Sequence, residues 1–95
     1  AAGAYERGVL ICGTGIGMSI AANKIPGVRA ALCADCYSAE MTRLHNDSNI
    51  LCLGGRTLGA ELAKRILDTW LGTPFSGLEK HARRIGRIAA LEPRA

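Results

Sequence analysis

The feature that most constrains this chain is a short apolar segment that runs directly into a glycine-rich turn. Positions 8–23 read GVLICGTGIGMSIAAN. The uninterrupted apolar run at positions 9–11 predicts a strand buried on both faces of a parallel sheet. Gly13, Gly15 and Gly17 predict a sharp turn whose backbone lies open to a ligand. The residues that follow this turn predict a helix.

A strand, a glycine turn and a helix N-terminus together predict an anion site. The unpaired N–H groups of the helix and its dipole point at the turn. Cys12 is the last residue of the predicted strand and faces this site. Positive potential at such a position lowers the pKa of a thiol from its usual ~8.5. Cys12 is therefore a candidate reactive thiol, and the competing interpretation is a small buried apolar side chain.

The remaining elements alternate along the chain. Further strands are predicted at 28–33 and 49–53, and helices at 17–24, 37–45, 58–71 and 77–91. The order β-α-β-α-β-α-α favours parallel strands joined by right-handed crossovers. We expect one α/β domain over residues 1–95, a Rossmann-like three-layer αβα open parallel sheet of three strands. So narrow a sheet leaves the outer edge of the first strand open, as an N-terminal truncation of the domain would.

Composition excludes several functional classes. The chain has 95 residues, a net charge of +4 and 48% hydrophobic residues, which is typical of one globular domain. No apolar run reaches the ~18 residues of a membrane span, and positions 1–8 do not resemble a signal peptide. Only four aromatic residues occur, none among the basic residues near the C-terminus, so nucleic acid is not an expected partner. Four cysteines in apolar or strand-end positions favour a reducing, cytoplasmic location.

Several motifs resemble a single family closely. They are ICGTGIGMSIAANK at 11–24, GVRAALC at 27–33, HND at 45–47, GR at 55–56, DTWL at 68–71 and HARR at 81–84. Together they resemble ribose-5-phosphate isomerase B, in the family it shares with the galactose-6-phosphate isomerase subunits. The resemblance covers residues 8–90 and implies the C-terminal two-thirds of the family domain. Family members carry about fifty further residues before this point, including an Asp-His pair that helps to bind the sugar and open its ring.

The resemblance implies an aldose–ketose isomerase that interconverts ribose 5-phosphate and ribulose 5-phosphate through an enediolate, without metal or cofactor. Such a reaction needs a base that moves a proton between adjacent carbons and donors that hold the enediolate oxygens. By resemblance Cys12 is the base, and Thr14 aids proton movement. The substrate-binding loop would comprise Gly13, Thr14, Gly15, Ile16 and Gly17.

The resemblance also assigns roles to residues of later elements. His45 would act as the acid that opens the furanose ring, and Asn46 would bind the substrate. Arg56, Lys80 and Arg84 would bind the phosphate, although Lys80 replaces a family arginine and lacks its bidentate fork. The family's active sites lie between two subunits, so a homodimer is expected. From the residues alone, His45 and Asn46 equally fit a helix C-cap, and the basic residues fit a solvated surface.

Five other interpretations stay open. The chain could be an inactive fragment that binds sugar phosphates or pairs with a longer subunit, since the Asp-His pair is missing. The substrate could be a six-carbon sugar phosphate, as for galactose-6-phosphate isomerase. Cys33 and Cys36 form a C-x-x-C pair that fits a thiol redox protein, and the four cysteines could bind zinc. The glycine turn with Asp35 downstream superficially fits a dinucleotide site, although its third glycine comes one position early.

Overall fold

One parallel sheet with helices on both faces makes up residues 6–93, the part of the chain that the computed structural model describes. The strands are β1 (Gly8–Cys12), β2 (Ala30–Leu32) and β3 (Ile50–Gly54), and the helices are α1 (Ile16–Ala22), α2 (Cys36–Asn46), α3 (Ala60–Gly72) and α4 (Glu79–Ala89). Every predicted strand and helix is present, and the α/β fold with three parallel strands is confirmed. No helix within residues 6–93 is both long enough and apolar enough to cross a membrane.

The strand order β1-β3-β2 makes β3 the central strand and places β1 at one edge of the described sheet. The connection from β1 to β2 crosses the sheet in one direction, and the connection from β2 to β3 returns. Because right-handed crossovers in opposite directions use opposite faces, α1 covers one face and α2 the other. Helix α3 packs beside α2. The open edge predicted for the first strand is therefore observed, and in register Cys12 lies beside Gly54 at the carboxyl ends of the strands.

The hydrophobic core lies between β3 and the two helices α2 and α3. Trp70 and Ile66 of α3 and Leu51 of β3 are completely buried. Burying an apolar side chain of this size contributes about 2–3 kcal/mol. The Trp70 indole Nε1–H donates a hydrogen bond of 2.9 Å to the hydroxyl of buried Ser48, so its one polar atom is satisfied. The core cluster consists of Cys33, Ala39, Leu51, Leu53, Ile66 and Trp70.

The prediction that the apolar run of β1 is buried on both faces is wrong. Val9 is 39% exposed and Ile11 is 65% exposed. In register these two residues share a face with Leu51 and Leu53, where α2 and α3 cover the central strand but not the edge strand. An apolar run indicates a strand, but it does not determine which position the strand takes in the sheet.

Candidate functional site

A left-handed glycine shapes the turn that follows β1. Gly15 is the N-cap of α1 and has φ of 81°. A Cβ atom on Gly15 would lie 2.5 Å from the Leu32 side chain, so both conformation and space require glycine there. Gly13 and Gly17 adopt no left-handed conformation, and a Cβ on Gly17 would meet nothing within 4 Å. Gly13 and Gly15 therefore lie in the predicted turn between β1 and α1, and of these only Gly15 needs a left-handed conformation, whereas Gly17 lies within α1.

Backbone amides of this turn surround the thiol of Cys12. The Gly15 N–H donates a hydrogen bond of 3.1 Å to the sulfur. The pKa of the Cys12 thiol is lowered, chiefly by the backbone N–H of Met18 and further by those of Gly15, Thr14 and Gly17, while partial burial opposes the shift. Because amide donors favour the charged form of a sulfur, the turn stabilises the thiolate.

The loop after β3 is hydrogen-bonded to the same turn. The Gly55 N–H donates to the Cys12 carbonyl at 2.7 Å, and the Arg56 N–H donates to the Gly13 carbonyl at 2.9 Å. The exposed side chain of Arg56 therefore lies beside the turn. Thr14 is also exposed, and its hydroxyl accepts a hydrogen bond of 3.2 Å from the Ile16 N–H. We call the group formed by Cys12, the loop residues 13–17 and Arg56 the thiol cluster.

The residues His45 and Asn46 lie at the end of α2, and both are exposed. The C-cap of this helix is Asp47, which has φ of 46° and whose N–H bonds back to the carbonyls of Arg43 and Thr42. The left-handed cap position therefore belongs to Asp47, and neither His45 nor Asn46 occupies it.

Arg43 anchors the end of α2. This role was not predicted from the sequence. Its side chain is buried, and its guanidinium donates to the Asp47 carboxylate at 2.9 Å, the Ser48 carbonyl at 2.6 Å and the Thr73 carbonyl at 3.0 Å. Such a buried arginine is stable only because charge-assisted hydrogen bonds replace its hydration. An arginine in the last turn of a helix is usually exposed, so no local signal in the sequence marked this one as buried.

Helix α4 brings the basic residues to the same end of α2. Lys80 and Arg84 are exposed on α4, whereas His81 between them is buried. The His81 ring packs against the His45 ring with centroids 4.3 Å apart. We call the group His45, Asn46, Lys80, His81 and Arg84 the histidine cluster. His81 had no predicted role, although the sequence contains only two histidines.

The thiol cluster and the histidine cluster lie at opposite ends of the sheet. Cys12 pairs with Gly54 at the carboxyl end of β3, while α2 ends at Asn46, just before β3 begins at Ile50. A strand of this length spans about 13 Å, and α2 runs back over a similar distance. The structure therefore brings Cys12, the loop and Arg56 together, and separately His45, Asn46, Lys80 and Arg84. One copy of the chain does not assemble both groups around one ligand.

Three of the alternative sites find little support in the structure. Cys33 is 2% exposed, and its burial raises the pKa of its thiol to about 11, which disfavours the thiolate a redox pair needs. The Asp35 carboxylate caps α2 by accepting hydrogen bonds from the Ser38 N–H and hydroxyl, so it is engaged in the helix and not in a ribose contact. Within residues 6–93, no three metal-ligating side chains converge.

A cavity of about 630 Å³ lies beside the histidine cluster. It is bounded by the end of α1, the edge strand β2 and the last turn of α4, and Asn46 is the one predicted site residue in its wall. Cys12 does not line it. The cavity therefore belongs to neither cluster as a whole.

Comparisons with known proteins agree on one family. A family model described as Ribose/Galactose Isomerase matches residues 1–88. Ribose-5-phosphate isomerase B of Escherichia coli is 51% identical over 94 residues, which are 99% of this chain and 62% of that protein. D-erythrulose-4-phosphate isomerase of Pectobacterium atrosepticum is 52% identical over 75 residues, 79% of this chain and 49% of that protein.

Solved structures give the same result for the fold. The type B ribose 5-phosphate isomerase of Trypanosoma brucei superposes with a TM-score of 0.93 at 54% sequence identity, over 95% of this chain and 60% of that one. The chain thus spans about three-fifths of the length of the relatives it matches.

Proposed function

The chain belongs to the ribose/galactose isomerase family, and from that premise we propose that it interconverts ribose 5-phosphate and ribulose 5-phosphate. The observation that carries the proposal is the Cys12 thiol, whose pKa is lowered by backbone amides at the carboxyl end of the sheet. Open α/β sheets bind ligands at this end. Isomerisation between adjacent carbons needs one base and several oxygen-directed donors, which the thiol cluster contains.

The proposed reaction is a proton transfer between neighbouring carbons. The Cys12 thiolate removes the proton from C2 of the open-chain aldose, and the electrons of that C–H bond form the C1–C2 double bond of an enediolate. The same thiol then delivers the proton to C1, while the hydroxyl proton at O2 moves to O1 with the help of Thr14. The backbone amides of residues 13–17 stabilise the negative charge on the oxygens. Overall, the reaction neither takes up nor releases a proton.

The histidine cluster supplies the other requirements of a cyclic, phosphorylated substrate. His45 protonates the ring oxygen, and Asn46 binds sugar hydroxyls. Lys80 and Arg84 lie one turn apart on α4 and are exposed, so both can reach one phosphate, with Arg56 as a further contact. Lys80 provides a point charge, whereas Arg84 can bind two phosphate oxygens at once.

We further propose that the active enzyme is a homodimer, because the two clusters lie at opposite ends of one chain. In a two-fold dimer every contact forms twice, so a dimer in which the thiol cluster of one copy faces the histidine cluster of its partner has two such sites. Both composite sites would then be identical. The four free cysteines are consistent with a reducing compartment, and we place the protein in the cytoplasm.

A coupled assay of ribulose 5-phosphate formation tests the proposal. The unmodified chain is expected to turn over ribose 5-phosphate, and Cys12→Ala is expected to lose about 100-fold or more, since a positioned base contributes 10²–10⁴-fold. Cys36→Ala is the matched control, because that cysteine lies outside both clusters. Full activity of Cys12→Ala would refute the assigned base.

A second candidate is a form that binds sugar phosphates, or pairs with a longer subunit, without catalysis. The observation in its favour is that the chain spans about three-fifths of its relatives' length. Calorimetric titration with ribose 5-phosphate separates the two candidates. Binding without turnover by the unmodified chain supports the second, and turnover that depends on Cys12 supports the first. The choice between five- and six-carbon sugars follows from comparing turnover of ribose 5-phosphate with turnover of galactose 6-phosphate, each measured by formation of its own ketose.

A further inference from the structure

His81 is a buried histidine for which the proposed reaction has no use. It is 5% exposed, whereas the neighbouring His45 is exposed at the surface. The two rings are 4.3 Å apart with an angle of 34° between their planes. The buried ring of His81 therefore packs against the accessible ring of His45.

The hydroxyl of Ser76 is hydrogen-bonded to Nδ1 of the His81 ring. Its oxygen lies 2.7 Å from Nδ1 of His81 and also accepts a hydrogen bond of 3.1 Å from the Leu78 N–H. Since the Leu78 amide can only donate, it leaves the Ser76 hydroxyl hydrogen available for a bond to Nδ1. In that arrangement Nδ1 is the acceptor, and the neutral ring carries its proton on Nε2. The Ser76 N–H in turn donates to the Leu44 carbonyl at 3.1 Å, next to His45 in the chain.

Burial and neighbouring groups disfavour the protonated form of His81. Burial lowers the pKa of His81, and the neighbouring His45 on α2 and the cations Lys80 and Arg84 on α4 lower it further. In the neutral ring Nδ1 can accept the Ser76 hydroxyl hydrogen, which is the state that burial and the surrounding charges favour.

We propose that His81 is a positioning residue for His45, held by Ser76 so that the His45 ring meets a cyclic sugar phosphate at a fixed angle. This inference rests on the proposed function, in which His45 opens the ring. In that step the C1–O bond breaks, the ring oxygen takes a proton from His45, and the C1 hydroxyl loses its proton to water as the aldehyde forms. Water then reprotonates His45. A tilt of the His45 ring would misdirect the proton without touching the thiol chemistry.

Histidine NMR tests the arrangement directly, because the chain contains only two imidazoles. A ring ¹H–¹⁵N spectrum, assigned with His45→Gln, is expected to show His81 as the Nε2–H tautomer with a titration midpoint below the usual ~6.5. Ser76→Ala is expected to abolish the tautomer preference. Ser38→Ala is the control, since that hydroxyl bonds Asp35 at the other end of α2. An Nδ1–H tautomer, or no effect of Ser76→Ala, would overturn the inference.

A pair of substrates tests whether His81 positions His45 for ring opening. Ribose 5-phosphate closes to a furanose, whereas in erythrose 4-phosphate the phosphorylated O4 leaves no hydroxyl for a five-membered ring. His81→Ala is expected to lower kcat/KM about tenfold to 100-fold for ribose 5-phosphate, the cost of a misplaced group, and to spare erythrose 4-phosphate. His81→Phe keeps the ring contact and is expected to restore most of the loss.

The outcomes distinguish a failure of the positioning role of His81 from a failure of the proposed isomerase function. Equal losses on both substrates would overturn the positioning role while leaving the isomerase intact. Turnover of neither substrate by the unmodified chain would overturn the proposed function, and the role of His81 in ring opening with it. The NMR result then still decides whether Ser76 holds His81 as inferred.

Discussion

Cys12 differs from Cys33 and Cys52, the other cysteines in or beside the strands, in what surrounds its sulfur. Cys33 and Cys52 are buried among apolar neighbours, and burial raises the pKa of both thiols. Cys12 instead meets backbone N–H groups, and the pKa of its thiol is lowered. The difference between an inert and a reactive cysteine is therefore the direction of a few amide hydrogens.

This difference predicts a pH-dependent reactivity that is specific to Cys12. Alkylation by iodoacetamide, followed by mass spectrometry of peptides, is expected to modify Cys12 before Cys33, with a midpoint below ~8.5. The sign follows from ionisation: the thiolate fraction, and with it both alkylation and the proposed isomerisation, falls as the pH drops through this pKa. A midpoint at or above the ordinary value for Cys12 would contradict the amide arrangement.

A second prediction concerns the left-handed glycine. Gly15→Ala is expected to disrupt the turn, because its Cβ would collide with Leu32 and its φ is 81°. Gly17→Ala is the matched control, since its Cβ would enter open space. Measured by the alkylation midpoint, Gly15→Ala should move Cys12 back toward an ordinary thiol and Gly17→Ala should not. Equal behaviour of the two variants would contradict the geometry.

Among the elements, α2 carries the connection between the core and the histidine cluster. Its end is fixed by the buried Arg43, which also lies 5.9 Å from the ring centroid of Trp70. The same guanidinium bonds the Asp47 cap and the start of the segment that leads into β3. His45 and Asn46 are therefore exposed residues on a rigid support, which is the arrangement a binding site requires.

Because Arg43 anchors the end of α2, we expect its loss to destabilise the protein far more than the loss of an exposed arginine. Arg43→Ala is expected to lower the free energy of unfolding by about 3 kcal/mol, because it leaves buried carbonyls without donors. Arg65→Ala is the control: its ion pair with Glu61 is 3.2 Å long but largely exposed, so its loss should cost under about 0.5 kcal/mol. Urea unfolding followed by Trp70 fluorescence measures both. Similar values for the two variants would contradict the anchoring role.

Sequence patterns predicted the elements because strands, glycine turns and amphipathic helices are local. They also indicated Cys12 as a strand-end thiol beside a glycine turn. The exposure of Val9 and Ile11 was not predicted, although the open edge of the first strand was, because an apolar run does not show how far the covering helices extend over an edge strand. The contact between His45 and His81 joins helices far apart in sequence, so it too lacked a local signal.

At the scale of the whole molecule, the separation of the two clusters has the largest consequence. The helix α2 runs antiparallel to the strands, so a residue at its end lies far from the carboxyl ends of β1 and β3. Sequence motifs grouped Cys12 and His45 by their resemblance to one family's site. The fold assigns them to opposite ends of one copy, and for that reason we propose that two copies share each site.

Subunit complementation tests the shared site most directly. One inactive variant carries Cys12→Ala, and the other carries His45→Ala together with Arg84→Ala. If each site takes its thiol cluster from one copy and its histidine cluster from the other, an equal mixture after subunit exchange regains about a quarter of the unmodified activity, since half the dimers hold one intact site of two. No recovery in a mixture that native mass spectrometry confirms to contain mixed dimers would contradict the shared site.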